Sequence, residues 1–188
     1  GVEIAELSPK ISTEDPERSV MGQGNHAYAN VQLSRYAAAL ANRGTVFELS
    51  LIDKVTDSQG NLIEDYTPEV HSKIDIADTT WNTVQQGMRQ VITNSSSKKI
   101  FDDLEIPIAG KTGTAQESNT RANHAFFISY GPFDNPDICV TVNIPYGYSS
   151  ANAADLAKNV YRFYYGYTDL DYIQNTGALD VSNVDIRD

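Results

Sequence analysis

The sequence predicts an α/β fold of the α+β type, in which an antiparallel sheet is flanked by helices. Three segments rich in β-branched and aromatic residues follow one another with short polar connections, as in an antiparallel meander. These segments are residues 106–116, 124–130 and 138–144. Apolar residues recur at helical spacing in three further segments, which would cover the sheet. They are residues 31–42, 77–93 and 149–165.

Length and composition are those of a globular protein. The 188 residues are enough to bury a sizeable core, and a hydrophobic content of 40% argues against wholesale disorder. The formal charge of −11 makes nucleic acid a poor partner, because binding phosphates requires a basic surface. The single cysteine excludes an internal disulfide, and no stretch reaches the roughly 20 apolar residues of a membrane span. Any targeting segment is expected to have been removed or to lie outside this chain.

The first part of the chain is predicted to lead into a helix. Residues 1–7 alternate in polarity and are consistent with a short edge strand. The glycine-spaced turn Met21-Gly-Gln-Gly24 precedes the helix over residues 31–42. Asn30 is a candidate cap for the start of this helix, and Gly44 provides a stop signal after it.

A hairpin and a second helix come next. Residues 45–66 are predicted to form the hairpin, with strand formers in residues 46–55 and a turn at Asp57-Ser-Gln-Gly-Asn61. Asp75 or Asp78 would cap the helix over residues 77–93, which is followed by a solvated loop at residues 94–99. One face of this helix carries Trp81, Val84, Met88, Val91 and Ile92.

The last part of the chain combines a strand, a helix and an acidic tail. In the strand over residues 138–144, the side chains of Ile138, Val140, Val142 and Ile144 share one face, opposite Cys139, Thr141 and Asn143. Ser149 or Ser150 would cap the helix that follows. Its candidates for burial are Ala154, Leu156, Val160, Phe163 and Tyr164. Residues 167–188 hold five aspartates and one arginine and are predicted to be weakly structured, with some packing through Tyr172 and Ile173.

The clearest chemistry lies in Ile106-Pro-Ile-Ala-Gly-Lys-Thr-Gly-Thr-Ala-Gln116. Side chains alternate along a strand, so Lys111 and Gly113 would share one face and Thr112 and Thr114 the other. The lysine supplies a positive charge, the threonines supply hydroxyls, and a strand glycine often marks the close approach of a ligand. The stretch therefore predicts one wall of an anion-binding site.

Gly110-Lys-Thr-Gly-Thr-Ala-Gln116 followed by His124-Ala-Phe-Phe-Ile-Ser-Tyr-Gly-Pro132 resembles the penicillin-binding proteins, and more narrowly the class B, elongation-type D,D-transpeptidases. The resemblance begins upstream of the helix over residues 31–42 and runs through Asp134-Asn-Pro-Asp137 to the final helix. It implies that residues 1–166 are the C-terminal part of a β-lactamase/transpeptidase-like domain, and that residues 167–188 are a tail. The fold would then be incomplete, because the family has a central sheet with helices on both faces.

The family uses Ser-x-x-Lys, Ser-x-Asn and Lys-Thr-Gly in this chain order, and only the third is convincing here. Ser95 with Lys98, and Ser96 with Lys99, match the first motif, but no apolar helix follows them. Ser150-Ala-Asn152 matches the second motif but comes after the Lys-Thr-Gly strand, where it is better suited to cap a helix. We therefore expect the nucleophile to lie outside this chain and the isolated chain to be inactive.

The resemblance implies roles for five residues. Lys111 would attract the substrate carboxylate and support proton transfer, while the Thr112 and Thr114 hydroxyls would bind that carboxylate. The backbone N–H of Thr114 would be an oxyanion donor, Gly113 would leave room for substrate, and Gln116 would line the cleft further along. Ordinary structural explanations also exist: an edge lysine opposes aggregation, threonine forms strands, and glycine forms bulges.

The implied activity is peptidoglycan cross-linking through a serine acyl-enzyme, which β-lactams would trap. The implied partners are stem peptides, β-lactams and the missing N-terminal half of the domain, with self-association as a further expectation. No cofactor is implied, and His26, His71 and His124 lack the spacing of a metal site. The implied location is the extracytoplasmic face of the bacterial membrane, through an anchor outside this chain. Two alternatives remain open: a non-catalytic interaction module, and a β-lactam sensor or serine β-lactamase relative.

Overall fold

The computed structural model describes residues 28–176, together with Glu17, Gly22 and Gln23. The predicted strand at residues 1–7 and the last part of the tail, residues 177–188, lie outside the described residues. Gly22 has a φ of 82°, as expected for a residue in the predicted glycine-spaced turn.

Five helices and seven strands lie within residues 28–176. The helices are α1 (Asn30–Ala41), α2 (Asp78–Asn94), α3 (Lys98–Phe101), α4 (Ser150–Tyr164) and α5 (Leu170–Thr176). The strands are β1 (Thr45–Phe47), β2 (Lys54–Thr56), β3 (Leu62–Asp65), β4 (Val70–Lys73), β5 (Ala109–Ala115), β6 (His124–Gly131) and β7 (Ile138–Ile144).

The central sheet has the order β5-β6-β7 and is antiparallel throughout. Thr112 lies opposite Phe127 in β6, and Phe127 lies opposite Val142 in β7. The predicted meander is therefore confirmed. Short strand connections place these three strands side by side, so the Lys-Thr-Gly segment occupies one edge of the sheet.

One face of the sheet packs against α4 and α3. The side chains of Phe127, Ile108 and Tyr161 are fully buried in this layer, and Phe101 stacks on Phe127 with ring centroids 5.5 Å apart. The alanines of α4 at 153, 154 and 157 are also fully buried. These small side chains let the helix lie close to the sheet.

This packing corrects the predicted face of the last helix. Ala154 is buried as expected, but Leu156, Val160, Phe163 and Tyr164 are exposed by 38–54%. The alanines and Tyr161 point toward the sheet, and this rotates the larger apolar side chains outward. The alternation in β7 is confirmed, since Val140 and Val142 are buried in this layer while Cys139 packs on the other side.

The opposite face packs against α1 and α2. Its buried cluster comprises Leu40, Ala41, Trp81, Met88, Ala109 and Tyr130. Trp81, Met88 and Ile92 of α2 are buried as predicted, whereas Val84 is 37% exposed. Arg89 ties α2 to the sheet, because its Nη1 donates a hydrogen bond to the carbonyl oxygen of Ile108 at 2.6 Å.

The predicted caps of α1 and α2 are wrong. The cap residue of α1 is Ala29, whose N–H donates to Oε1 of Gln32 at 2.7 Å, while Asn30 donates to the Thr141 carbonyl at 3.3 Å. The cap residue of α2 is Ala77, which has no side-chain cap, and Asp78 pairs instead with Arg43 at 2.9 Å.

Two of the predicted helix signals are confirmed. Ser149 caps α4 by accepting a hydrogen bond from the Ala151 N–H at 3.2 Å. Gly44 ends α1 with a φ of 99°. A Cβ at Gly44 would lie 2.6 Å from both the Ile74 carbonyl oxygen and Trp81 Cζ2, so glycine is required there.

Two nested ladders over residues 45–73 take the place of the single hairpin predicted at residues 45–66. β1 pairs with β4, and β2 pairs with β3. The expected continuous strand over residues 46–55 is interrupted near Ser50, whose Oγ accepts from the Ile52 N–H at 3.0 Å in a local turn. The turn after β2 is as predicted, with Asp57 Oδ1 accepting from the backbone N–H groups of Gln59 and Asn61.

Two short helices were not predicted. Residues 98–101 form α3 at the end of the expected solvated loop, because Phe101 and Ser97 are buried against the core. Residues 170–176 form α5 in the segment expected to be weakly structured, and Tyr172 is 51% exposed there. No helix in the described part of the chain is long and apolar enough to span a membrane.

Candidate functional site

The candidate site runs along β5, which pairs only with β6 among the described strands. Its first residues, Ala109 and Gly110, are buried, whereas Lys111 and Thr114 are exposed. The strand therefore leaves the core at the Lys-Thr-Gly triplet. Its outer edge and its polar side chains are open to a ligand there.

The predicted alternation of side chains along β5 is confirmed by the register. Lys111 lies opposite Ile128 and Gly113 opposite Phe126, on the face that packs on α1 and α2 further along the sheet. Thr112 lies opposite Phe127, on the α4 side. Lysine and hydroxyl groups thus flank the same strand edge from opposite faces.

Lys111 has no carboxylate within 4.0 Å among the described residues. Its Nζ donates a hydrogen bond to the carbonyl oxygen of Thr112 at 2.7 Å. In a chain with a formal charge of −11, an exposed ammonium group without an acidic partner leaves a local positive potential. This potential favours an anionic ligand at the strand edge.

The two glycines of β5 serve different purposes. A Cβ at Gly113 would meet only Cβ of Phe126, at 3.4 Å, which is an ordinary contact. A Cβ at Gly110 would lie 2.5 Å from Cζ of Phe127 and 3.0 Å from the Ile128 carbonyl oxygen. Gly110 is therefore required by packing, which the strand pattern did not reveal. Gly113 is not required by packing, and its missing side chain leaves space above the strand beside Lys111.

Gln116 lies just after β5, in the connection to β6. Its side chain is exposed, and Nε2 donates to Oδ1 of Asn119 at 2.9 Å. The other predicted residues, from Lys111 to Thr114, lie within the strand. The predicted site residues therefore follow one another along β5 and the first residues of the connection to β6.

An aromatic and charged cluster lies at the end of β5, next to Ala115. His124, opposite Ala115 in the ladder, lies 3.2 Å from Glu117 Oε2 through its Nε2, and its ring centroid is 4.9 Å from that of Tyr146. Arg121 Nη1 donates to the Tyr146 hydroxyl at 3.0 Å. Arg121 and Tyr146 were not among the predicted site residues, because only the fold brings the β5–β6 and β7–α4 connections together.

The serines that match the other family motifs are engaged elsewhere. Ser95 follows the last residue of α2, where its Oγ donates to the Val91 carbonyl and accepts from the Ser97 N–H. Lys98 pairs with Asp102. Asn152 donates to the Gly147 carbonyl at 2.8 Å, beside the Ser149 cap. Neither arrangement places a base against a nucleophilic hydroxyl.

The other edge of the sheet, β7, is also unpaired among the described strands. An open cleft of ≈ 500 Å³ runs beside it, lined by Asn30, Ser34, residues 138–143, Leu156 and Val160. Four buried side-chain atoms lack a hydrogen-bond partner among the described residues: Thr141 Oγ1 in β7, Tyr130 Oη in β6, and Nε and Nη2 of Arg35, whose Nη2 lies 3.9 Å from Glu48 Oε2. Burial raises the pKa of Cys139 to about 11, so the thiol is neutral at physiological pH.

The family model described as the penicillin-binding protein transpeptidase domain matches residues 11–162. Peptidoglycan D,D-transpeptidase MrdA of Haemophilus influenzae is 31% identical over 163 residues, which are 77% of this chain and 25% of that protein. Penicillin-binding protein 2A of Bacillus subtilis is 29% identical over 139 residues, which are 66% of this chain and 19% of that protein. The chain thus spans about a quarter or less of the length of these relatives.

Solved structures of similar fold include penicillin-binding protein 2B of Streptococcus pneumoniae, with a TM-score of 0.73 at 24% identity. That match covers 87% of this chain and 29% of the other. Pseudomonas aeruginosa PBP2 in complex with WCK 5153 has a TM-score of 0.64 at 30% identity and is matched over 79% of this chain and 34% of its own. These likenesses confirm the predicted mixture of helices and antiparallel sheet.

Proposed function

Because this chain belongs to the penicillin-binding transpeptidase family, we propose that it forms the part of a peptidoglycan D,D-transpeptidase that holds the terminal carboxylate of a stem peptide. The observation that carries the proposal is Lys111, exposed on the free edge of β5 with no acidic partner among residues 28–176. The hydroxyls of Thr112 and Thr114 would add hydrogen bonds to the same carboxylate. Gly113 would let the backbone of the substrate approach the strand.

The reaction consists of two acyl transfers. A serine oxygen attacks the carbonyl carbon of the penultimate D-Ala, the amide bond to the terminal D-Ala breaks, and the departing amine takes up a proton. An amine of a second stem peptide then attacks the resulting ester, which forms the cross-link and releases the serine. The Thr114 N–H would stabilise the oxyanion in both steps. The positive charge of Lys111 would raise the electrostatic potential of the site and so support the proton transfers. The serine would come from outside this chain.

The same groups would bind a β-lactam, whose carboxylate replaces that of the terminal D-Ala. Acylation of the serine would then be the trapped first step. Peptidoglycan lies outside the cytoplasmic membrane, so this proposal places the domain at the extracytoplasmic face. The membrane attachment would lie in a segment outside this chain.

The β7 edge and its cleft would receive the remaining part of the transpeptidase domain. Residues 138–144 carry no charge and no proline, so β7 lacks the usual devices that protect an exposed sheet edge. Exposed Leu156 and Val160 border the cleft, and Thr141 Oγ1 is buried there without a partner among the described residues. These features support a strand and an apolar layer packing against β7. The relatives' greater length provides polypeptide for that purpose.

The binding part of the proposal is tested with diacetyl-L-Lys-D-Ala-D-Ala and its C-terminal amide. In nuclear magnetic resonance titrations of the chain, the acid should shift the backbone signals of residues 111–115 and the amide should not. Lys111→Gln should weaken binding of the acid by about tenfold, since a charge-assisted hydrogen bond is lost. Lys54→Gln, on the exposed strand β2, is the matched control and should leave binding unchanged. Equal binding of acid and amide would overturn the proposal.

The absence of the nucleophile is tested with a fluorescent penicillin. The isolated chain should acquire no covalent label under conditions in which an intact penicillin-binding protein is labelled fully. Labelling that maps to Ser95 would show that the chain carries its own nucleophile. Labelling at Ser150 would do the same for the motif at the start of α4.

A further inference from the structure

The proposed binding mode, on which this inference rests, fixes the direction in which a stem peptide runs. Its terminal carboxylate lies near Lys111 and Thr112, and the carbonyl under attack lies near the Thr114 N–H. The residues that precede this carbonyl must continue past Thr114 toward the end of β5. Each residue of an extended peptide advances by about 3.4 Å, so two further residues reach roughly 7 Å beyond Thr114. That is the connection between β5 and β6.

Arg121 lies in this connection, and its side chain meets Tyr146, which follows β7 at the same end of the sheet. The Arg121 guanidinium lies over the Tyr146 ring, with Cζ 5.7 Å from the centroid, and Nη1 donates to the tyrosine hydroxyl at 3.0 Å. Both side chains are exposed. Stacking on the ring restricts the guanidinium to one orientation while leaving its other N–H groups open to a ligand.

The backbone under the pair is held in place from both sides. Tyr146 has a φ of 56°, an uncommon conformation for a bulky residue, and its N–H donates to His124 Nδ1 at 3.3 Å. Because a backbone N–H only donates, Nδ1 is the acceptor, and the proton of the neutral ring is on Nε2, which faces Glu117. Tyr148, with a φ of 60°, donates its N–H to the Asn123 carbonyl at 3.1 Å. The two connections are thereby joined at fixed spacing.

The Arg121 guanidinium has no acidic partner of its own. No carboxylate lies within 4.0 Å of it among the described residues, and the Glu117 carboxylate instead accepts a hydrogen bond from His124 Nε2 at 3.2 Å. We propose that Arg121 and Tyr146 form a subsite for a carboxylate carried by a stem-peptide residue upstream of D-Ala-D-Ala. The chain would therefore distinguish stem peptides whose second residue bears a free carboxylate from those in which it is amidated.

The test compares two peptides that differ by one group, L-Ala-γ-D-Glu-L-Lys-D-Ala-D-Ala and the analogue with the glutamate α-carboxylate amidated. The intact chain should bind the acid about fivefold more tightly, and this preference should shrink at high salt. Arg121→Gln should remove the preference without weakening the amidated peptide. Tyr146→Phe should reduce the preference, since it removes the hydroxyl that orients the guanidinium. Lys54→Gln should leave both affinities unchanged.

The outcomes separate this inference from the function on which it rests. If both peptides bind equally to the unaltered chain, and Lys111→Gln weakens both, the carboxylate wall stands and the Arg121 subsite is overturned. If Arg121→Gln weakens both peptides alike, its role is structural and the inference is again overturned. If neither peptide binds, the proposed function itself is contradicted.

Discussion

Tyr161 of α4 donates its hydroxyl hydrogen to Ser129 Oγ of β6 at 3.0 Å, and both side chains are fully buried. Ser129 in turn donates to the Val140 carbonyl oxygen in β7 at 3.0 Å. A polar chain therefore crosses from the helix through two strands inside an apolar layer. Because the hydroxyls of Tyr161 and Ser129 are both hydrogen-bonded, they fix the position of α4 on the sheet.

We expect Tyr161→Phe to lower the free energy of unfolding by about 1–2 kcal/mol, because it leaves Ser129 without its donor. The exposed hydroxyl of Tyr164 on the same helix provides the control, and Tyr164→Phe should change stability by less than about 0.5 kcal/mol. Urea unfolding followed through Trp81, the single tryptophan, reports both variants. Equal effects of the two substitutions would contradict a structural role for the buried chain.

The two glycines of β5 should respond differently to alanine. Gly110→Ala should destabilise the fold by about 1–3 kcal/mol, because the new methyl group would overlap the Phe127 ring and the Ile128 carbonyl. Gly113→Ala should fold with nearly normal stability but weaken binding of the D-Ala-D-Ala peptide. Thermal unfolding and peptide titration of each variant separate the two effects. A stable Gly110→Ala protein would show that the sheet can shift to accept the methyl group.

Alkaline pH should destabilise the protein because a cysteine thiol and two tyrosine hydroxyls in its interior would have to ionise. Burial raises the pKa of Cys139 from 9.0 to about 11 and that of Tyr130 from 10.0 to about 12, and it also raises the pKa of Tyr161. A raised folded pKa means that the unfolded chain loses its proton first. Stability should therefore be complete below about pH 9 and fall as the pH rises through 9 to 12.

This dependence is checked by urea midpoints across that pH range, together with tyrosinate absorbance. Ionisation of the buried tyrosines should coincide with loss of the Trp81 signal. Cys139→Ala should flatten the part of the profile that begins near pH 9. A profile that is already flat in the unaltered chain would contradict burial of these groups.

The free β7 edge should cause the isolated chain to self-associate. Lysine at Leu156 or Val160 places a charge in the cleft beside β7 and should shift the chain toward monomer in sedimentation experiments. Phe163→Lys is the control, because Phe163 is similarly exposed on α4 but does not line the cleft. Monomer at all concentrations before any substitution would contradict the prediction, as would an equal response to the control.

Local patterns predicted the sheet well, because its strands are consecutive and its polar connections are short. The alternation in β7 and the opposed faces of Lys111 and Thr112 follow from the pleat alone. The burial of α4 did not follow from its sequence. Its largest apolar residues were expected inside, but close approach to the sheet selects Ala153, Ala154 and Ala157 for the interface.

Features that depend on tertiary contacts could not be found in the sequence. β4 pairs with β1 across an intervening hairpin, and nothing near Val70 signals that partner. Arg121 reaches Tyr146 only because two connections meet at one end of the sheet. Gly110 resembles any strand glycine until Phe127 is placed against it. The Lys-Thr-Gly strand and its alternation could be predicted because their residues are contiguous in the sequence.

The β2–β3 hairpin has a practical use. Its strand residues are exposed throughout, β2 and β3 pair only with each other, and the Asp57 turn closes it by its own hydrogen bonds. Exposed turns of this kind tolerate inserted sequence. A fluorophore attachment site or an affinity tag inserted at Gly60 would therefore leave β5 and both edges of the central sheet untouched. A chain tagged in this way could be immobilised for binding measurements while its β5 and β7 edges remain accessible.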